Sequence, residues 1–156
     1  MPKKDTVKKK IVVAVSGGFD PIHIGHVRMF ERARSLGDEL VVILNNDNWL
    51  RKKKRHIFMP QEERREIIES LRAVDRVVFT KHGEDSEDMS VAQELLELRP
   101  DIFANGGDRT QDESREGAVC REIGCETIFN IGDGGKIQSS SWLLDAYMKR
   151  ATGKQP

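Results

Sequence analysis

Residues 12 to 30 read VVAVSGGFDPIHIGHVRMF. β-branched residues lead into two glycines, an aspartate before a proline, and two histidines three positions apart. The pattern predicts a strand over Ile11–Val15, a loop over residues 16–21 and a helix that begins close to Gly25. Glycines let the backbone approach a ligand closely, and a helix start offers unpaired N–H groups at a positive dipole end. The junction of strand and helix therefore favours an anion.

The two histidines, His23 and His26, lie on one face of the entering helical turn, because residues three apart share a helix face. They could be ordinary capping or core residues. A metal site would need a third ligand, and no nearby cysteine, histidine or carboxylate supplies one convincingly. Donation to a phosphate explains the glycines, the histidine pair and their position together. We therefore interpret the junction as a phosphate site.

Strand-like and helix-like segments alternate along the whole chain. The predicted strands are Ile11–Val15, Leu40–Leu44, Arg76–Phe79, Asp101–Ala104 and Glu126–Asn130. The predicted helices are Gly25–Leu36, Pro60–Val74, Ser90–Leu98, Glu113–Ile123 and a last one from about Ser140 to Arg150. Short runs rich in Val, Ile and Phe are typical of strands covered on both faces, and this alternation favours a parallel sheet. We predict an α/β fold: a single doubly wound, Rossmann-like domain over residues 10–150, with a five-stranded parallel sheet and helices on both faces.

Composition excludes several classes of function. The 156 residues suffice for one core, and 26 basic residues balance 26 acidic ones, so no overall basic field attracts nucleic acid or a membrane. No apolar run approaches the roughly 18 residues of a membrane span. Residues 1–9 are expected to be a basic tail without the apolar stretch of a secretory signal, and residues 151–156 a C-terminal tail. With Cys120 and Cys125 as reduced structural thiols, we expect a cytoplasmic protein.

A second phosphate-facing element is predicted before the last helix. Ser139, Ser140 and Ser141 follow a glycine-rich stretch that includes Lys136. Serines with unpaired amides at a helix start can hold phosphate oxygens, although a capped helix with solvent-facing serines fits the same pattern. A third cluster is the basic run of residues 51–55, which could be a solvated loop or a polyanion patch.

The motif GGFDPIHIGH resembles the signature loop of the nucleotidyltransferase superfamily marked by HxGH, here His23-Ile24-Gly25-His26. Leu36-Gly37-Asp38, Glu63-Arg64-Arg65 and Gly106-Gly107-Asp108 resemble later segments of its heptose-1-phosphate adenylyltransferase and glycerol-3-phosphate cytidylyltransferase branches. Gln138-Ser139-Ser140-Ser141 is similar to the element that grips the triphosphate in this superfamily. Class I aminoacyl-tRNA synthetases share the HIGH spelling, but they need far longer chains.

The resemblance implies a role for each matching residue. Catalytic roles fall to His23, His26, Lys136 and one of the pair Lys52 and Lys53. Nucleotide contacts fall to Gly17, Gly18, Phe19, Asp20, Gly25, Gly107, Asp108, Ser139, Ser140 and Ser141. Acceptor contacts fall to Asp47 and Arg64, and no residue is assigned as a metal ligand. Mg²⁺ is the expected cofactor, as the partner of the triphosphate. A homodimer is expected from the relatives alone.

The reaction implied is attack of an acceptor phosphate on the α-phosphorus of a nucleoside triphosphate, with release of pyrophosphate. An acceptor phosphate is already an anion, so positioning and charge stabilisation suffice. ATP is slightly favoured over CTP, and a phosphorylated sugar or polyol is favoured as acceptor. Two other interpretations stay open: a nucleotide-sensing module without turnover, and weak RNA binding by the lysines of residues 8–10 and 52–54.

Overall fold

The computed structural model describes residues 7–105, 114–131 and 139–153. Its strands and helices, in chain order, are β1 (Val12–Gly17), α1 (Ile24–Arg34), β2 (Glu39–Leu44), α2 (Asp47–Lys54), α3 (Gln61–Glu69), β3 (Arg76–Phe79), α4 (Ala92–Leu98), β4 (Ile102–Ala104), α5 (Arg115–Ile123), β5 (Glu126–Ile128) and α6 (Ser140–Ala151). The five strands form one sheet in the order β3-β2-β1-β4-β5, and every pairing is parallel. The predicted doubly wound α/β domain is confirmed.

Strand β1 is the centre of the sheet because it pairs on both sides. It runs in register with β2 from Val12 opposite Glu39 to Gly17 opposite Leu44. On its other side Val13 lies opposite Ile102 of β4. The strand order reverses between β1 and β4, which is where such sheets bind ligands, beyond the carboxyl ends of the strands.

Alternate residues of β1 feed two separate cores, one on each face of the sheet. Val13 and Val15 pack in a cluster with Phe30 of α1 and Ile68 of α3. Ala14 packs in the other, whose helical members come from α4 and α5. Cys120 and Cys125 lie in this second cluster as buried thiols without a disulfide. Burial of both strand faces explains the uninterrupted apolar runs seen in the sequence.

Helix α2 is the largest departure from the sequence-based prediction, which placed a loop there. Its N-cap Asn46 accepts a hydrogen bond from the backbone N–H of Trp49 over 3.0 Å. Leu50 is its buried residue, and basic side chains fill its last turn. Its apolar residues, Trp49 and Leu50, are adjacent and do not repeat at helical spacing, so the pattern hid this helix.

Other boundaries differ by a few residues. Helix α3 ends at Glu69 and not at Val74, and α4 begins at Ala92 and not at Ser90. Strand β5 ends at Ile128. The predicted start of α5 at Glu113 lies outside the described residues. Within the ranges that are described, none of the helices combines the length and the apolar composition needed to cross a bilayer.

Candidate active site

The β1–α1 loop, residues 18–23, lies at the carboxyl end of the central strand and leads into α1 through a histidine cap. The Nδ1 atom of His23 accepts a hydrogen bond from the backbone N–H of Gly25 over 3.1 Å. The Nδ1 atom of His26 accepts one from the backbone N–H of His23 over 3.3 Å. The two rings stack with centroids 3.6 Å apart. The capping role considered from the sequence is therefore observed, and it uses only Nδ1 of each ring.

This capping pattern defines the tautomer that each ring has when it is neutral. A ring nitrogen that accepts a hydrogen bond carries no proton, so the proton of each neutral imidazole sits on Nε2. Burial, and then the charge of neighbouring His23, lowers the pKa of His26 from 6.5 to about 3. Near neutral pH, His26 is thus an uncharged donor that can offer a hydrogen bond through Nε2.

Phe19 supports the imidazole pair from the protein interior. Its ring stands edge-on to His26 with centroids 4.8 Å apart and packs against Phe30 at 5.0 Å. The residue is buried and its backbone has φ of +50°, an unusual conformation for a side chain of this size. A Cβ on Gly17 would stand 2.7 Å from this ring, so the first glycine makes room for Phe19. The ring of Phe19 faces the core and supports His26, while the contact of Phe19 with nucleotide stays a prediction.

Arg64 is the largest fully buried side chain of the described residues, with no exposed surface. It donates to the carbonyl oxygens of Gly18 and Asn45 at 2.7 Å each, and to that of Met59 at 2.9 Å. Its Nη2 atom pairs with the carboxylate of Asp47 at 2.7 Å. These bonds occupy the guanidinium inside the protein. The expectation that Arg64 contacts an acceptor phosphate does not fit this burial, and Asp47 serves first as its ion-pair partner.

Asp20 is also turned inward. It is 7% exposed, and its two oxygens accept hydrogen bonds from the backbone N–H groups of Phe58 and Met59 at 2.7 and 2.6 Å. Both carboxylate oxygens are thus engaged within the protein, and the nucleotide contact of Asp20 stays a prediction. Asp20 ties the β1–α1 loop to the segment that precedes α3.

The start of α6 meets the β1–α1 loop although it lies at the other end of the chain. Ser140 Oγ donates a hydrogen bond to the carbonyl oxygen of Pro21 over 2.7 Å, across 119 positions. Ser139 is the buried N-cap of α6, and Ser141 is exposed on its first turn. The sequence predicted that the serines and the histidines converge on one triphosphate. The Ser140–Pro21 bond brings the start of α6 against the loop that ends at His23, and the shared ligand stays a prediction. Gly107, Asp108 and Lys136 lie outside the described residues.

Comparison with known proteins adds an independent observation. Residues 14–139 match the family model described as cytidylyltransferase-like, which is most of the chain. The chain belongs to the cytidylyltransferase-like family. It is a nucleotidyltransferase, as the motif predicted.

The relatives of this cytidylyltransferase-like protein include archaeal enzymes named FAD synthase. One from Ferroglobus placidus is 38% identical over 149 residues, which are 94% of this chain and 92% of that protein. One from Pyrococcus horikoshii is 43% identical over 105 residues, 67% of this chain and 68% of that protein. Among solved structures, the lipopolysaccharide core biosynthesis protein of Thermoplasma volcanium aligns with a TM-score of 0.62 and 28% identity, covering 78% of this chain and 95% of that one.

The basic run of this family member belongs mainly to the last turn of α2, and one of its lysines holds a neighbouring loop. Lys52 Nζ donates to the carbonyl oxygen of Ser86 in the β3–α4 loop, residues 80–91. Lys53 is exposed on the same helix. The structure thus separates the two lysines that the sequence left equivalent, while their catalytic roles stay predictions.

Three further side chains of α2 and its cap bind backbone carbonyl groups of the same loop, and sequence reasoning missed their role. Asn46 Nδ2 and Asn48 Nδ2 donate to the His82 carbonyl oxygen at 2.8 and 2.9 Å. Trp49 Nε1 donates to the Met89 carbonyl oxygen at 2.9 Å. Asparagine before a helix was the available signal, since it is a favoured cap.

The described residues offer no group of three His, Cys, Asp or Glu that could hold a metal ion. The carboxylate nearest the histidines in sequence, that of Asp20, is already occupied by two N–H groups. These side chains fit a magnesium ion that is held by the phosphates of its nucleotide better than one held by the protein. Magnesium stays a prediction, as part of the triphosphate substrate.

Proposed function

We propose that the protein transfers the adenylyl group of ATP to FMN, which forms FAD and releases pyrophosphate. FAD is FMN joined to AMP through a pyrophosphate link, so a nucleotidyltransferase that makes it must use these two substrates. Similarity to FAD synthase over nearly the full length of both chains is the observation that carries the choice of acceptor. It replaces the expectation of a sugar or polyol phosphate.

The chemistry needs no protein base. An oxygen of the FMN phosphate, which is an anion near neutral pH, attacks the α-phosphorus of ATP. The bond from that phosphorus to the bridging oxygen breaks, and magnesium pyrophosphate leaves with the electron pair. Negative charge builds on the phosphate oxygens in the transition state, and donors fixed in advance lower its energy. Nε2–H of His23 and of His26 are the donors proposed for this role, because both rings are held by their caps.

The triphosphate is proposed to lie between the start of α1 and the start of α6. Both helix starts direct backbone N–H groups and a positive dipole end to this region, where the Ser140–Pro21 bond joins them. His26 adds a hydrogen-bond donor without a charge, so its burial costs less free energy than that of a charged group would. Magnesium would enter with the triphosphate and neutralise part of its charge.

A second candidate keeps a phosphorylated sugar as the acceptor. It is favoured by the similarity to the Thermoplasma volcanium protein, whose name places it in lipopolysaccharide core biosynthesis. Its nucleotide could be ATP or CTP.

The test is product formation by the purified full chain with Mg²⁺. ATP and CTP are each combined with FMN, riboflavin, glycerol 3-phosphate and a heptose 1-phosphate, and pyrophosphate release is measured together with chromatography of the nucleotide product. We expect FAD from ATP and FMN, and none from riboflavin, which lacks the attacking phosphate. Turnover with a sugar or polyol phosphate but not with FMN would overturn the proposal in favour of the second candidate.

A further inference from the structure

Trp49 combines a fixed orientation with partial exposure at the edge of the site. It lies in the first turn of α2, beyond the carboxyl end of β2, and its indole N–H donates to the Met89 carbonyl oxygen over 2.9 Å. The six-membered part of the indole lies against the β1–α1 loop: Cζ3 is 3.4 Å and Cε3 is 3.9 Å from the position that a Cβ on Gly18 would take. Trp49 is partly buried and is not a member of either core cluster of the described residues.

The strand order separates the two sides of the site. Helix α2 follows β2, on one side of β1, and α6 follows β5, beyond β4 on the other side. The triphosphate proposed above occupies the α6 side, where Ser140 meets Pro21. The acceptor must approach the α-phosphorus opposite the leaving pyrophosphate, so it approaches from the α2 side. Trp49 is on that side, next to Gly18.

We propose that Trp49 provides the aromatic surface on which the isoalloxazine ring of FMN stacks, and that it thereby selects a flavin as acceptor. This inference rests on the proposed function and names the residue that recognises the acceptor. An indole already held by a hydrogen bond loses little freedom when a ligand stacks on it, so the contact contributes to affinity. A sugar or polyol phosphate presents no aromatic ring to this surface. The ribityl arm of FMN allows its ring to lie beside the loop while its phosphate reaches the reaction centre.

An exclusively structural Trp49 makes a different prediction. If the indole only supports Gly18, its removal displaces the β1–α1 loop, which is proposed to lie next to both substrates. The KM values for ATP and FMN then rise together. If the indole stacks on the flavin, the KM for FMN rises and that for ATP does not. Stacking on adenine would give the reverse. The ratio of the two KM values therefore separates the three cases.

The experiment compares Trp49→Leu and Trp49→Phe with Tyr147→Leu as the control. Tyr147 is 63% exposed on α6 and lies seven positions after the helix begins, away from the proposed triphosphate. Removal of one aromatic stacking partner typically weakens binding about tenfold or more, so Trp49→Leu should raise the KM for FMN by about that factor and leave the KM for ATP within about twofold. Trp49→Phe, which keeps an aromatic ring, should recover most of the affinity. Tyr147→Leu should change neither value.

Direct binding supplies a readout that does not depend on turnover. In Trp142→Leu the sole remaining tryptophan is Trp49, so titration with FMN should quench its fluorescence, whereas titration with glycerol 3-phosphate should not. Thermal unfolding of each variant checks that the fold is retained.

The outcomes distinguish the two proposals. FAD synthesis by the wild type, together with an FMN KM within twofold of wild type in Trp49→Leu, overturns the role of Trp49 and leaves the proposed function intact. A parallel rise in both KM values, unrepaired by Trp49→Phe, also overturns it. Absence of FAD synthesis in the wild type overturns the proposed function and with it this inference.

Discussion

Nη1 of Arg64 donates a hydrogen bond to the carbonyl oxygen of Gly18 over 2.7 Å, across 46 positions of the chain. The same buried guanidinium also binds the carbonyl oxygens of Asn45 and Met59. One cation therefore joins the β1–α1 loop, the end of β2 and the segment before α3. These are three of the segments that border the proposed reaction centre, so their relative positions depend on a residue that need not touch either substrate.

Replacement of Arg64 by glutamine should lower the free energy of unfolding by about 3–5 kcal/mol, because removal of one member of a buried pair leaves its partners without compensation. Denaturant unfolding of the purified variant measures this loss. Arg72, exposed in the turn after α3, offers a matched control. Arg72→Gln should change stability by no more than about 0.5 kcal/mol. Equal stabilities for the two variants would refute the structural role assigned to Arg64.

Asp20 and Arg64 both bind the backbone of Met59, since Met59 donates its N–H to Asp20 and its carbonyl oxygen accepts from Arg64 Nε. Asp20→Asn leaves one accepting oxygen in place of two, and should cost about 1–3 kcal/mol. Because both side chains fix one segment, the double variant with Arg64→Gln should fall short of the sum of the single losses by about 0.5 kcal/mol or more. Strict additivity in a double-mutant cycle would mean that the two tethers act independently.

The fold could be predicted from the sequence because its strands are short apolar runs, which can be recognised without knowledge of distant contacts. Residues 40–44 are all fully buried, and such a run allows few alternatives to a strand covered on both faces. The position proposed for the site also comes from the sequence, since two glycines and two histidines after the first strand indicate a phosphate site. Helix α2 could not be predicted because its folding depends on a cap and on one buried leucine.

The directions of several site side chains could not be predicted for a different reason. Arg64 and Asp20 find their partners 46 and 38 positions away, and spacing within a motif carries no information on such distant contacts. A charged residue beside a phosphate motif is expected to face the ligand. Here both residues face inward, where they shape the site.

Gly17 is predicted to be intolerant of even one methyl group. A Cβ at this position would lie 2.7 Å from Cζ and 2.9 Å from Cε1 of Phe19, whose ring supports His26. Gly17→Ala should therefore displace the ring of Phe19 and lower the free energy of unfolding by about 1–3 kcal/mol. It should also lower kcat, because the displaced ring no longer holds the imidazole of His26 in place. Gly83 is the control, because a Cβ there has Ser86 Oγ as its nearest neighbour at 3.7 Å. If Gly17→Ala matched Gly83→Ala in both stability and kcat, the proposed support of His26 by Phe19 would be rejected.

The neutral state of His26 should be visible in the dependence of stability on pH. In the unfolded chain a histidine takes up its proton near pH 6.5, whereas burial first and His23 second lower the pKa of His26 in the folded protein to about 3. Between these values the unfolded state binds more protons, so this group makes the free energy of unfolding fall as the pH falls below about 6.5. The variant His26→Gln lacks this contribution. The stability of the wild type minus that of the variant should thus decrease from about pH 7 to about pH 4, by at most about 1.4 kcal/mol per unit. Denaturant unfolding at a series of pH values measures this difference, and a constant difference would show that folded His26 takes up its proton as readily as the unfolded chain does.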